Sequence, residues 1–242
     1  MQKLKEGDEQ VPYLGMSVVK RDAHKALLLL MMMPSKLLAH RLSVPRMMVP
    51  SEPVSAASKL LAEFAKPERS LDVVEGLIAS LEADPPVTKA SKQRRELTAD
   101  WKFAFASDGA AVEPFTTGSA DGPFNVLEDC YFRLRGEDNV QSIEVVRRIG
   151  PFGNTAFSLH GKWRVDSSSI TWRPKYFIDG RGREVAVPSQ AAQGREAKVT
   201  HVSDVLVLRM GQSFSVFERL GKGKLKKELD DFALDPELVL GR

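Results

Sequence analysis

The residues of this chain that invite chemistry are four histidines, one cysteine and a few paired acids. His24, His40, His160 and His201 include no pair at the i, i+4 spacing that would place two imidazoles on one helix face. The spacing therefore offers no metal site, and no cofactor is expected. Cys130 is the only cysteine, which excludes an intramolecular disulfide and a Cys-based zinc site, and its apolar neighbours Leu127, Tyr131 and Phe132 favour a buried structural thiol. No serine sits in a nucleophile elbow, and Ser167-Ser168-Ser169 reads as a turn. Glu128-Asp129 and Asp230-Asp231 are adjacent in sequence, and strand neighbours point to opposite faces, which argues against a catalytic dyad. Gly180-Arg181-Gly182-Arg183 has the composition of an anion cradle, although in a hairpin it is more often a solvated turn. No catalytic constellation emerges, and the chain is not expected to be an enzyme.

Charge narrows the partners. Lys+Arg against Asp+Glu run 8 to 4 over residues 1–50, 7 to 8 over 51–96, 15 to 15 over 97–220 and 5 to 5 over 221–242. A nucleic-acid-binding domain concentrates cations on its folded unit, because phosphate neutralisation supplies most of the affinity. Residues 97–220 are neutral, so no nucleic acid is expected.

Between Met16 and Pro50 lie Lys20, Arg21, Lys25, Lys36, Arg41 and Arg46, several serines and the single acid Asp22. This is the composition of a transit peptide, and residues 1–50 are read as a targeting leader or a disordered segment. The apolar run from Ala26 to Met33 is far short of the ~20 residues that span a bilayer, so an integral membrane protein is not expected.

Residues 51–96 carry two helical patterns. Leu60, Leu61 and Phe64 recur at helical spacing before Pro67, and Leu71, Val74, Leu77, Ile78 and Leu81 form a second stripe with Ser70 as its N-cap. Both read as a helical cap, and Thr88 to Arg95 as a polar linker. At Trp101 the period changes from 3.6 to 2: Trp101, Phe103 and Phe105 alternate with Lys102 and Ala104. Further strands are predicted over 124–134, 140–149, 155–165, 169–178, 184–187, 199–209 and 213–220, separated by turn residues. About eight strands with no intervening helix pattern imply an antiparallel meander, hence an α+β chain whose residues 97–220 form a lipocalin-like β-barrel. A β-sandwich is the alternative. Residues 221–242 read as a polar C-terminal tail.

Leu60-Leu61-Ala62-Glu63, the helix end Leu77 to Pro85 and the strand Leu97-Thr98-Ala99-Asp100-Trp101-Lys102-Phe103 resemble the entry of the plastid lipid-associated proteins, or fibrillins. The closing pair, Asp204 to Arg209 and Phe214 to Arg219, is similar to that family's last two strands, with Asp204 and Arg209 as matching positions. The resemblance spans residues 58–220. It departs at Ala99, where the family has glycine, and at Thr200, Val202 and Leu206. It implies a chloroplast protein at plastoglobules or thylakoids, binding or organising apolar lipids such as isoprenoid quinones and carotenoids.

In such a barrel Trp101, Phe103, Phe105, Phe132, Phe157, Trp172, Phe214 and Phe217 are candidates to line a cavity, and each could equally be plain core. Trp101 and Arg219 are expected to meet at the closed end, guanidinium over indole. Gly161-Lys162-Trp163 repeats a glycine-x-tryptophan form, but too few residues follow it for eight strands. Arg147, Arg148 and Lys222, Lys224, Lys226 and Lys227 could rest on anionic headgroups or simply be solvated. An adaptor for a lipid-metabolism enzyme stays open as a second class, and an enzyme using the barrel cavity as the weakest third. Such an adaptor would show an occluded cavity and an apolar patch outside the barrel.

Overall fold

The computed structural model describes residues 55–83, 90–120, 122, 124–149, 153–187, 189 and 191–241. The leader expected over residues 1–50 lies outside the described residues.

Eight strands close on themselves in meander order. They are β1 (Asp100–Ala106), β2 (Asn125–Leu134), β3 (Asn139–Arg148), β4 (Asn154–Asp166), β5 (Ser169–Ile178), β7 (Arg195–Val202), β8 (Val205–Met210) and β9 (Ser213–Leu220), with β9 pairing back onto β1. Every pairing is antiparallel. The short β6 (Glu184–Val185) pairs with the far end of β5, on the edge whose near end pairs with β7. The closed sheet is the barrel expected from the alternation, rather than a sandwich.

The expected single strand 199–209 is two strands. Ser203 and Asp204 turn the chain between β7 and β8, and the Ser203 N–H donates to the Val205 carbonyl at 2.9 Å. Val205, Leu206, Val207 and Leu208 are all fully buried, so no polar alternation marks the boundary in the sequence. The reason is that β8 is covered on both faces: Leu206 and Leu208 face the barrel core, while Val205 and Val207 lie under helices.

Those helices are α1 (Ala56–Phe64) and α2 (Leu71–Glu82). Ser55 caps α1, its side chain accepting from the Ser58 N–H at 3.1 Å. Ser70 makes no side-chain cap bond on α2, and its N–H instead donates to the Glu63 carboxylate at 3.4 Å. Leu60, Val74, Ile78 and Leu81 bury against Val205, Val207, Phe214 and Val216 on the outer face of β8 and β9. Each fully buried aliphatic side chain contributes about 1.5–3 kcal/mol.

Two stretches read as irregular are helical. The 88–95 linker contains most of α3 (Ala90–Leu97), which buries Gln93 and Leu97. The polar tail folds into α5 (Lys224–Asp231) and α6 (Pro236–Leu240). Leu225, Leu229 and Val239 pack on Tyr131, Ile143, Val145 and Ala156, the outer face of β2 to β4. The abundant charges of 221–242 sit on the opposite faces of these helices and masked the stripe.

Gly161 is structural. A Cβ there would lie 2.1 Å from the Arg173 carbonyl oxygen, so β4 and β5 approach at their bulge only because the side chain is a hydrogen.

Candidate functional site

Alternate strand positions fill the barrel with Trp101, Phe103, Phe132, Trp163, Trp172, Phe217 and aliphatic residues. One end of this interior is sealed by α3, whose Leu97 enters the barrel core. There the Trp101 indole N–H donates to the Leu97 carbonyl at 2.9 Å and the Trp163 indole N–H to the Arg135 carbonyl at 3.0 Å. Arg219 lies over Trp101, 4.7 Å from the ring centroid, and Arg94 over Trp163 at 5.6 Å.

The other end is covered by the connection between β1 and β2. It forms α4 (Gly109–Val112) and a 3-10 turn (Glu113–Phe115) that drops Phe115 into the barrel, fully buried. The Phe115 ring meets Phe132 edge-on at 5.1 Å, Phe217 edge-on at 4.9 Å, and Trp172 in a stack at 5.2 Å. Inward-facing polar side chains hold this plug by its backbone. The Ser215 hydroxyl donates to the Ala111 carbonyl, Arg195 donates to the Pro114 carbonyl, and the Cys130 thiol to the Phe115 carbonyl at 3.6 Å. The Glu144 carboxylate accepts the Thr117 N–H at 2.7 Å and the Thr117 hydroxyl.

Among the described residues two buried side chains near this interior lack partners. The Trp172 indole N–H makes no hydrogen bond, and neither does the Gln93 amide through its nitrogen or its oxygen. Gln93 stands one helical turn before Leu97, so the two share the buried face of α3. A buried polar group without a partner loses about 1–3 kcal/mol of solvation that nothing returns. Trp101 and Trp163 show that this fold can satisfy an indole; Trp172 is the exception.

The eight cavity candidates do not share one surface. Trp101, Phe103, Phe132, Trp172 and Phe217 belong to the barrel interior. Phe157 stacks on Phe177 at 6.1 Å in a separate cluster with Leu159 and Ala191. Phe105 and Phe214 lie outside the barrel, packed with α1 and α2, and Phe105 stacks on Phe64 at 5.6 Å. A bulge between Phe103 and Phe105 breaks the strand's alternation and turns Phe105 outward. Phe214 and Phe217 are three apart on a regular strand, so only one of them can face inward. Phe115, Gln93, Glu144 and Arg195 were missed. The N-cap Asp108, whose carboxylate accepts the Ala111 N–H at 2.9 Å, was the available signal for the plug.

Asp204 and Arg209 serve the architecture. The Asp204 carbonyl accepts the Arg219 N–H at 2.8 Å. Arg209 grips the Glu82 carboxylate with two bonds, 2.6 and 2.8 Å, and ties α2 to β8. The Gly180 to Arg183 turn carries its own anion: Asp179 accepts the Arg181 and Arg183 N–H groups and the Arg183 guanidinium, which hold its carboxyl down at about 2.

The remaining reactive side chains are quiet. Burial, aided by Glu144 and Asp129, pushes the Cys130 thiol well up, away from the nucleophilic thiolate. The His160 Nε2 lies 2.9 Å from the Ser158 hydroxyl, and its ring stacks on Tyr176 at 4.6 Å. Burial and then Arg133 bring its pKa down to about 4, so the imidazole is neutral. His201 meets the Leu81 carbonyl at 3.2 Å and Ser203 at 2.8 Å. Among the described residues no group of three His, Cys, Asp or Glu is placed to hold a metal ion, and no helix is long and apolar enough to cross a membrane.

No family model matches the chain, and no curated protein matches it. Among solved structures the chain is similar to a lipocalin-like protein from Bacteroides uniformis, at 13% identity over 52% of this chain and 99% of that one, with a TM-score of 0.30.

Proposed function

We propose that this chain is a non-enzymatic lipid-associated protein of the plastid that binds or organises apolar lipids, isoprenoid quinones or carotenoids among them, at plastoglobules or thylakoids. The observation that carries the binding reading is the Trp172 indole N–H, buried without a partner among the described residues beside Phe115 and Phe132 inside a closed barrel. An apolar site with one placed donor is the usual makeup of a small-ligand pocket. The non-enzymatic part rests on the reactive groups present: a thiol held protonated, a neutral imidazole two residues from its serine on the same strand, and a turn whose Arg183 is held by Asp179. The plastid location rests on the resemblance and the basic, acid-poor leader. Mass spectrometry of lipids co-purifying with the protein from its native membranes tests the binding reading, and recovery of no lipid overturns it.

A second reading, an adaptor docking on a lipid-metabolism enzyme, is favoured by a different observation. Phe124, Val126 and Ile149 are 68%, 37% and 59% exposed at one end of the β2–β3 pair, and the Ile149 N–H donates to the Phe124 carbonyl at 2.8 Å, so the patch is contiguous. Crosslinking in native extract separates the two readings: a stable stoichiometric partner lost on Phe124→Asp supports the adaptor.

A further inference from the structure

We propose that Phe115 occupies the barrel's ligand position, and that a planar unsaturated ring bearing a carbonyl or hydroxyl oxygen takes its place when the plug withdraws. This rests on the ligand-binding reading above and adds where the ligand sits, what it must look like and what competes with it.

Phe115 is the one aromatic ring of the described barrel core that comes from a connection, since the others are contributed by strands. Its three ring neighbours belong to β2, β5 and β9 and surround it as a box, one side stacked and two edge-on. Such a box suits a flat π-system because stacked and edge-to-face contacts both complement its quadrupole. The wall it stacks on, Trp172, carries the unpartnered N–H. An indole N–H points outward in the plane of its own ring, so a stacked hydrocarbon such as phenylalanine cannot accept it. A ring seated so that its oxygen enters the indole plane at the Nε1 edge can. The present occupant therefore satisfies the box in shape and leaves its one polar feature unanswered.

The plug is also built to leave. No strand ladder holds it; its α4 is four residues long, and its backbone hangs on the side chains of Ser215, Arg195, Cys130 and Glu144. None of these four bonds belongs to the barrel's strand ladders. Once released, Glu144, Arg195 and Ser215 line the mouth, while the Trp101 end stays sealed by α3. An entering ring thus goes in first and its hydrocarbon tail trails outward.

A ligand that must displace part of the protein binds more weakly by the fraction of time the site is vacant, and weakening the plug recovers that factor. The test is calorimetric titration of the full chain with a 1,4-benzoquinone bearing a decyl chain, beside decylbenzene, which is also planar and lacks its oxygens. Phe115→Ala is expected to bind the quinone at least tenfold more tightly than wild type. Ser215→Ala, which removes one tether and leaves the box intact, is expected to give a smaller gain in the same direction. Trp172→Phe is expected to lose the preference for the quinone over decylbenzene. If wild type binds and neither plug variant binds more tightly, the proposal is overturned while the barrel reading stands. If no variant binds either probe, both fall. Should Phe115→Ala fail to fold, Ser215→Ala carries the test.

Discussion

The Arg219 guanidinium lies over the Trp101 indole while its Nε and NH2 groups donate to the Ser203 and Glu96 carbonyls at 2.7 and 2.6 Å. One side chain from the last barrel strand therefore touches the first strand, the end of α3 and the β7–β8 turn. Trp101 and Arg219 are also directly paired in the β1–β9 register, so this contact sits on the seam that closes the cylinder.

Removing either partner is expected to loosen that seam, by different amounts. Trp101→Ala deletes a fully buried ring and should cost about 3–5 kcal/mol of unfolding free energy. Arg219→Ala loses the cation–π contact, worth about 0.5–2 kcal/mol, together with its carbonyl bonds. Arg219→Lys keeps the charge without the planar fork and should fall between. Thermal denaturation of the three variants checks the order, and an unchanged melting temperature for Trp101→Ala would remove the closure role.

His160 gives the fold a pH-dependent component. Its pKa is about 4 in the folded chain against about 6.5 when unfolded, because burial and the facing Arg133 disfavour the imidazolium. Between those values the unfolded chain holds the proton and the folded chain does not. Stability from this residue is therefore complete above about pH 6.5 and is lost as pH falls toward 4, by roughly 3 kcal/mol in total. Gln141, which meets the same Nε2 at 3.2 Å and donates to the Val239 carbonyl at 2.6 Å, couples the site to α6. His160→Gln is expected to flatten the melting temperature between pH 7 and 4.5. Equal slopes for variant and wild type would assign the acid sensitivity elsewhere.

How much was legible follows from what each side chain has to satisfy. The alternation of Trp101 and Phe103 announced a strand, because one burial surface imposes period 2. The bulge that sends Phe105 outward left no mark, because Ala104 is compatible with either geometry. Leu225 and Leu229 sit four apart and did announce a helix, yet four lysines in the first half of the segment dominated its composition. Phe115 was opaque for a different reason: an isolated aromatic after Pro114 has no period at all, and only the folded barrel shows that three strands leave a ring-sized gap for it. Gln93 reads as a solvated linker residue in sequence, and its burial comes from Leu97 anchoring the same helix face.

The proposed contact with a lipid surface separates into two parts that one experiment can resolve. Lys226 and Lys227 are exposed on α5 and Lys222 precedes it, whereas Lys224 is shared between Glu218 at 3.6 Å and Glu228 at 3.9 Å. Each free cation near an anionic leaflet is worth about 1 kcal/mol, and that attraction is screened by salt. Neutralising Lys222, Lys226 and Lys227 to Gln is therefore expected to reduce flotation with anionic vesicles and leave neutral vesicles unaffected, while Lys224→Gln alone should change little. Phe124 and Ile149 work through buried apolar area, so Phe124→Ser with Ile149→Ser should weaken binding to both vesicle types, independently of salt. If the lysine variant floats as wild type does in low salt, α5 does not face the lipid. If the apolar variant does so as well, the exposed end of β2 and β3 serves a protein partner instead.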